Sequence, residues 1–378
     1  MGKLLLFFKE LRDFKRFRKI DKKDRDIVFY SEGSSYYGYF EGIIDYLTNK
    51  LNLKVHYVTS EADDPIFETE NRNIIPFYIN NLVGFFTRLL DSKLLIMTMT
   101  DLGNFHIKRS EYGAKHIYVF HHIGSTHLVL RHGALDNYDV ILCAGPHQME
   151  EIRRAEELYR LKKKMLVKYG YYRLEKIFKE SGLHEKKPSG YKAKILVAPS
   201  WGEKNIFELC GRELIRELTE GGYEVIARPH PMQWHTNAKL LEALEKEFQG
   251  MGNFILERNI PTTTLAEADL LISDWSSVAI EYAFGTERPV LYIDVPKKVR
   301  NPNYKDFGIV PLEEKIRTRI GAVLGLKEIK NVEASIINLL ENKEKFKQEI
   351  LKARREYIYN FGVSSKIGAE YIQGLCKR

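Results

Sequence analysis

Short, almost wholly apolar runs alternate with helix-patterned segments along this chain, and the alternation occurs twice. The first series runs through "DIVFYS" (26–31), "LKVHYVTS" (53–60), "KLLIMTM" (93–99), "HIYVFHH" (116–122) and "YDVILCAG" (138–145). Helical patterns lie between them, at 36–50 and 146–161. Strands with no polar face are buried on both sides, as in parallel sheets sandwiched between helices. The second series begins with "KILVAPS" (194–200) and continues through "YEVIARP" (223–229), "NFILE" (253–257), "ADLLISD" (268–274) and "RPVLYID" (288–294), with a helical tail from about 329. A chain of 378 residues is long for one core. Two α/β halves therefore predict two Rossmann-like domains facing a central cleft, joined by the polar, Gly- and Pro-containing stretch 180–192. The expected division is a basic helix at 1–23, an N-terminal domain at 24–182, a C-terminal domain at 190–360, and a closing helix at 361–378 that returns to the N-terminal domain.

Charge is concentrated at one end. The net charge is +8, yet ten Lys/Arg and only four acids fall within the first 25 residues. The remaining body is close to neutral, which argues against a nucleic-acid channel. In the arm, Leu4, Phe7, Phe8 and Leu11 recur at helical spacing, with Lys15 and Arg16 among the basic residues around them. Its apolar run is far shorter than the ~20 residues a bilayer span requires. Two readings fit: a basic amphipathic helix lying in an anionic membrane surface, or a helix packed on the body with its basic face in water. The three cysteines are far apart and form no CxxC pair, so neither a disulfide framework nor a cysteine metal site is expected, and the compartment reads as cytoplasmic.

Polar residues gather where the apolar strands end, the usual ligand position in open α/β sheets. After "LLIS", Asp274, Ser276 and Ser277 precede a helix beginning near 278. A helix N-terminus offers unpaired N–H groups and a positive dipole end, and serine hydroxyls add donors without bulk, so a phosphate suits this place. The plain alternative is an N-cap. "ARPHP" places Arg228 and His230 at another strand end, stiffened by prolines, both able to donate to phosphate. Arg173 opens a helix after "GYY". "VFHHIGSTHLVLRHG" holds His121, His122, His127 and His132. It contains no carboxylate and no HExxH pattern, so a metal site is not expected. His121 and His122 alternate across the strand, so that one faces the cleft. A histidine there suits general-base work, because it titrates near neutral pH.

Together these stretches resemble the CDP-glycerol glycerophosphotransferases, which build poly(glycerol phosphate) teichoic acids and related capsule polymers. "ILVAPSW" (195–201) is similar to the family's "ILYAPTWR". "GYYR" (170–173) resembles its "GYPR", "RPHP" (228–231) its "R-x-H-P", and "ISDWSSVAIEYA" (272–283) its "ITDYSSVxFDFA". "FYSEGSSYYGY" (29–39) frames the start. The resemblance implies a GT-B architecture and a cytoplasmic enzyme on the inner face of the membrane. It moves a glycerol-phosphate, or related polyol- or sugar-phosphate, group from a CDP-linked donor to a lipid-linked glycan. His230, Ser276 and Ser277, with Arg228 and Arg173, would hold the donor phosphates. Glu281, Asp274 and Ser200 would meet the donor polyol or nucleotide. His122 would be the base, matching the histidine of the family's "W-H-G-T-P" across one inserted residue, with His121, Ser125, Thr126 and His127 on the acceptor side. No cofactor is implied as a requirement, and Mg2+ is compatible with the chemistry. Here "FHHIGST" lacks the family's Trp and Pro, and Gly202 follows Trp201 where the family has Arg. Other readings are a GT-B glycosyltransferase using a nucleotide-sugar, an epimerase of the same architecture, and a non-catalytic scaffold.

Overall fold

A computed structural model describes residues 2–183, 192–258 and 261–377. The expected linker 180–192 lies largely outside the described residues. Contacts divide the chain into two compact units. The first comprises Met1–His121, Leu130–Tyr172 and Ile358–Arg378, and the second comprises His122–Val129 and Arg173–Tyr357.

The first unit is built on seven parallel strands: β1 (Ile27–Ser31), β2 (Val55–Thr59), β3 (Ile74–Tyr78), β4 (Leu94–Met97), β5 (Lys115–Val119), β6 (Val140–Cys143) and β7 (Met165–Lys168). Their order is β3-β2-β1-β4-β5-β6-β7, so the strand order reverses between β1 and β4. Helices cover both faces, which is why β1, β2, β4 and β6 are buried along their whole length. β3 is not evident in the sequence, because Pro76 interrupts it; an edge position tolerates that proline.

The second unit has six parallel strands: β8 (Lys194–Val197), β9 (Glu224–Ala227), β10 (Phe254–Leu256), β11 (Leu270–Ser273), β12 (Val290–Asp294) and β13 (Gly321–Gly325). The order is β10-β9-β8-β11-β12-β13, with its reversal between β8 and β11. Each unit thus has the Rossmann-like α/β architecture that the double alternation predicts.

The N-terminal helix, Lys3–Arg18, packs on the first unit from Lys9 onward, where the Lys9 ammonium lies 3.9 Å over the Phe67 ring. Glu10 is fully buried, and its Oε1 accepts the backbone N–H groups of Asn80 and Leu82 at 2.7 Å. Asp13 accepts the N–H of Tyr78 at 3.0 Å. Phe17 is 1% exposed and meets Phe86 edge-on, with ring centroids 4.9 Å apart. Leu11 is half-buried, Lys15 is exposed, and Arg16 lies 4.2 Å over the Phe77 ring. The first two turns differ: Leu4, Leu5, Phe7 and Phe8 are all exposed. At the other end of the chain, helix Ser364–Cys376 belongs to the first unit and buries Ala369 and Ile372 in the core that also holds Phe40 and Ile43. Gly170 of "GYYR" is required by its surroundings: its φ is +107°, and a Cβ would come within 2.4 Å of the Tyr359 carbonyl oxygen.

Candidate active site

In the second unit the strand-end residues converge at the reversal point. Residues beyond β8 and β11 are bound directly: the Ser200 N–H donates to Asp274 Oδ1 at 2.7 Å, and Ser273 Oγ donates to the Ala198 carbonyl at 2.7 Å. Asp274 is 1% exposed; burial raises its carboxyl pKa against the N–H groups that favour its charge. It fixes the β8 loop from inside, and Trp201 follows on that loop.

Helix Val278–Thr286 starts directly after the serine pair. The Ser277 side chain makes no capping bond, and Ser276 Oγ receives only a long one, 3.5 Å from the Val278 N–H. Both serines are half-buried. The Ala279 and Ile280 N–H groups turn onto the Ser276 and Ser277 carbonyls at 3.2 and 3.1 Å, so capping leaves both hydroxyls little used at a terminus whose dipole favours an anion. His230 caps the helix Pro231–Thr236, its Nδ1 accepting the Met232 N–H at 3.1 Å, while Gln233 Oε1 accepts the His230 N–H at 3.0 Å. With Nδ1 as acceptor, the neutral ring carries its proton on Nε2 and is a donor there.

Trp201 gathers further groups. Its ring lies 5.8 Å from that of His230, with Lys298 Nζ 4.1 Å above it and the Arg300 guanidinium at 4.8 Å. Burial, helped by Arg300, pulls the Lys298 pKa down to about 8 against the pull of Asp274. Lys298 and Arg300 were not singled out above. Their signal was present: "PKKVR" follows β12 directly, and basic residues at a strand end in such a sheet are ligand candidates.

Two of the expected phosphate contacts are engaged elsewhere. Arg228 is 4% exposed, and its guanidinium donates to the Glu257 carboxylate and to the Pro261 carbonyl. Arg173 donates to Glu281 at 2.9 Å, so the helix acid meets an arginine of its own chain.

The histidine segment is placed differently from its expected position. β5 ends at Val119, so His121 and His122 lie beyond the strand and strand alternation does not orient them. His121 belongs to the first unit and His122 to the second. His122 is 8% exposed. The following residues are bolted to the segment 300–313, whose last two residues open the helix Leu312–Ile320. Ser125 N–H donates to Glu313 Oε1 at 3.0 Å, and Ser125 Oγ accepts the Leu312 N–H at 2.6 Å. His127 Nε2 donates to the Ile309 carbonyl at 3.1 Å, its ring stacked on Phe307 at 5.0 Å. The Arg300 N–H donates to the Leu128 carbonyl at 3.1 Å. Thr126 is buried, whereas His132 is exposed and lies outside the short helix Thr126–Val129. Gly124 is needed here, since a Cβ would stand 2.1 Å from Glu313 Oε1 and 3.6 Å from the Ser277 Cβ. The Ser125 and His127 side chains thus hold the His122 segment in place, against the loop that also supplies Arg300. Glu313 joins the site as its anchor, a role that only contact across some 190 positions of sequence reveals. Among the described residues, no group of three His, Cys, Asp or Glu is placed to hold a metal ion.

Two Rossmann-like units with a phosphate-suited terminus define the class: an α/β transferase fold of the GT-B kind. The model of the CDP-glycerol:poly(glycerophosphate) glycerophosphotransferase family matches residues 12–298, and the chain belongs to that family. It is an enzyme of the CDP-glycerol glycerophosphotransferase type, with a CDP-glycerol-type nucleotide as donor. Among solved structures it is similar to a variant of the wall teichoic acid polymerase TagF, with 16% identity, a TM-score of 0.63, and 100% of this chain and 99% of that one covered. A putative UDP-N-acetylglucosamine 2-epimerase from Listeria monocytogenes matches with 13% identity and a TM-score of 0.59 over 93% of this chain and 96% of that one. The UDP-GlcNAc 2-epimerase of Methanocaldococcus jannaschii matches with 13% identity and a TM-score of 0.54 over 93% and 99%. At these identities the likeness is one of fold. Comparison with curated protein sequences gave no match.

Proposed function

We propose that the protein transfers glycerol phosphate, or a related polyol or sugar phosphate, from a CDP-linked donor to a hydroxyl of a lipid-linked glycan in the synthesis of a teichoic-acid-like surface polymer. The observation that carries this reading is the gathering of His230, Lys298 and Arg300 around Trp201, on a loop that Asp274 ties through Ser200 to the strand end where Ser276 and Ser277 open a helix. The likeness of fold to a wall teichoic acid polymerase supports it.

The acceptor oxygen attacks the phosphorus that carries the polyol. The bond from that phosphorus to the bridging oxygen breaks, and CMP departs with the electron pair. The acceptor proton passes to His122. The serine-bearing terminus, His230 Nε2–H, Lys298 and Arg300 stabilise charge on the transferred phosphate and on CMP. Fixed donors and a positioned base each supply roughly 10²-fold or more. Arg173 and Glu281, as a pair, and Arg228 with Glu257 set the walls. A second reading gives the base to His121. Its Nδ1 lies 3.1 Å from the Thr98 carbonyl and must donate there, which leaves the Nε2 lone pair to take a proton.

The exposed Leu4, Leu5, Phe7 and Phe8 dock the enzyme on an anionic membrane surface, where the lipid-linked acceptor resides. Among the described residues no helix is long and apolar enough to cross a bilayer.

The deciding assay offers CDP-glycerol and a set of UDP-sugars, each with lipid-linked glycan acceptor, and separates the nucleotides released. CMP release dependent on the acceptor is expected; UDP release without CMP would make the enzyme a glycosyltransferase instead. Either His122→Ala or His121→Ala abolishes transfer while donor binding survives, and the one that does so identifies the base.

A further inference from the structure

The first unit carries its own cavity, of about 290 Å³, lined by Glu32, Tyr36, Thr100, Phe105, His121 and Arg131 among others. It opens at the carboxyl ends of β1 and β4, where the strand order of that sheet reverses. That is the ligand position of an open α/β sheet. The lining residues all belong to the first unit.

The cavity's chemistry contrasts with that of the phosphate-suited residues of the second unit. Arg131 is neutralised, donating to the Asp101 carboxylate at 2.9 Å, and Thr100 donates to the same carboxylate at 2.8 Å. Glu32 lines the same wall; burial raises its pKa, with His106 opposing. A carboxylate repels a phosphate. The same wall alternates acceptors and donors that suit hydroxyls: the Glu32 carboxylate, the Tyr36 hydroxyl and the His121 ring, met edge-on by Tyr36 at 5.9 Å. Phe105 is 54% exposed at the cavity, with the Arg131 guanidinium 5.2 Å over one side of its ring and its exposed area turned to solvent. Exposed aromatic faces beside hydrogen-bonding groups are what the apolar C–H face of a pyranose stacks upon.

We infer that this cavity binds a neutral glycosyl unit of the acceptor, not a polyol phosphate. The inference rests on the transferase reading above, and it says which part of the glycan acceptor this cavity would hold. The volume lies at the lower end of small-molecule sites, ~300 Å³, and accommodates one or two sugar rings.

The test uses the full chain with a panel of methyl pyranosides (gluco, galacto, manno and their N-acetylamino forms) and with sn-glycerol 3-phosphate, read by saturation-transfer NMR. At least one pyranoside is expected to receive saturation, and its dissociation constant should rise by about tenfold or more in Phe105→Ala and in Glu32→Gln. CDP-glycerol affinity, measured in parallel, is expected to stay unchanged in both variants. Binding of glycerol phosphate that needs these two residues, or no pyranoside whose binding depends on them, overturns the inference while the transferase reading stands. Failure of the wild-type protein to bind CDP-glycerol would strike the transferase reading instead.

Discussion

Lys298 is the residue whose titration reports directly on the donor site. A lysine held at about 8 is largely charged at pH 7 and largely neutral at pH 9. Its ammonium lies against Trp201, beside Arg300 and within the field of Asp274. A diphosphate binding there gains one positive charge below the lysine's pKa and loses it above. The dissociation constant for CDP-glycerol is therefore expected to rise by up to about tenfold between pH 7 and 9, as the charged fraction of Lys298 falls, a contact to a charged group being worth ~1.5–3 kcal/mol. Lys298→Met should bind more weakly at pH 7 and show a flat profile through pH 9, whereas Arg300, charged throughout, cannot produce such a profile. Titration of donor affinity in both proteins checks this, and parallel pH profiles would remove Lys298 from the phosphate site. The residue also shows a limit of sequence reading. Ser276, Ser277 and His230 stand out because they are polar among apolar strand ends. Lys298 and Arg300 stand out less: their place after a strand is a signal, but a K-K-V-R loop also reads as solvated surface until Trp201, nearly a hundred positions away, is found beneath it.

The N-terminal helix is one element with two environments, and each gives a prediction. Its inner half is held by Glu10 and Asp13 on the backbone of 78–82 and by Phe17 against His56, Phe77 and Phe86. The sequence shows the basic stripe but not which acids turn inward, since two buried carboxylates read like two solvated ones. Deleting the whole arm would thus damage the first unit. Replacing Leu4, Leu5, Phe7 and Phe8 by serine leaves the inner half intact, and it is expected to abolish sedimentation with phosphatidylglycerol vesicles while the melting temperature holds. Full retention on vesicles would refute membrane docking. The inner half also carries a pH dependence. Burial, above all, lowers the His56 pKa to about 4 from an ordinary value of 6.5. Below 6.5 the unfolded chain takes up a proton that the folded site resists. The stability His56 provides is therefore complete above pH 6.5 and is lost as pH falls through about 4, to at most ~3 kcal/mol. Urea unfolding at pH 7, 5.5 and 4.5 should give a shallower acid decline in His56→Leu than in the parent. Equal declines would show that other groups govern acid sensitivity.

At the scale of the whole chain, the two parallel sheets were legible because their inner strands have no polar face. What sequence did not yield lies at sheet edges and in distant pairings. β3 and β13 are edge strands, one interrupted by Pro76 and the other bounded by Gly321 and Gly325, and an edge demands less apolar character. The segment His122–Val129 sits in the middle of the first unit's sequence yet counts with the second, through bonds to 300–313 that no local pattern announces. Conversely the chain ends where it began: Ile358–Arg378 belongs to the first unit, with Ile372 fully buried in the same core as Ile27, Phe40 and Ile43. The first unit's core is thus closed by a helix some 300 positions from the strands it covers, and its stability depends on that helix. Ile372→Ala removes three buried carbons from that contact and is expected to cost about 2–5 kcal/mol. The loss should fall on the first unit. Hydrogen exchange would then quicken in β1 and β2, while β8 and β11 keep the parent's protection, because their core contains no residue of the terminal helix. Equal loss of protection in both sheets would mean that the two cores unfold as one, and the division of the chain into separately stabilised units would have to be given up.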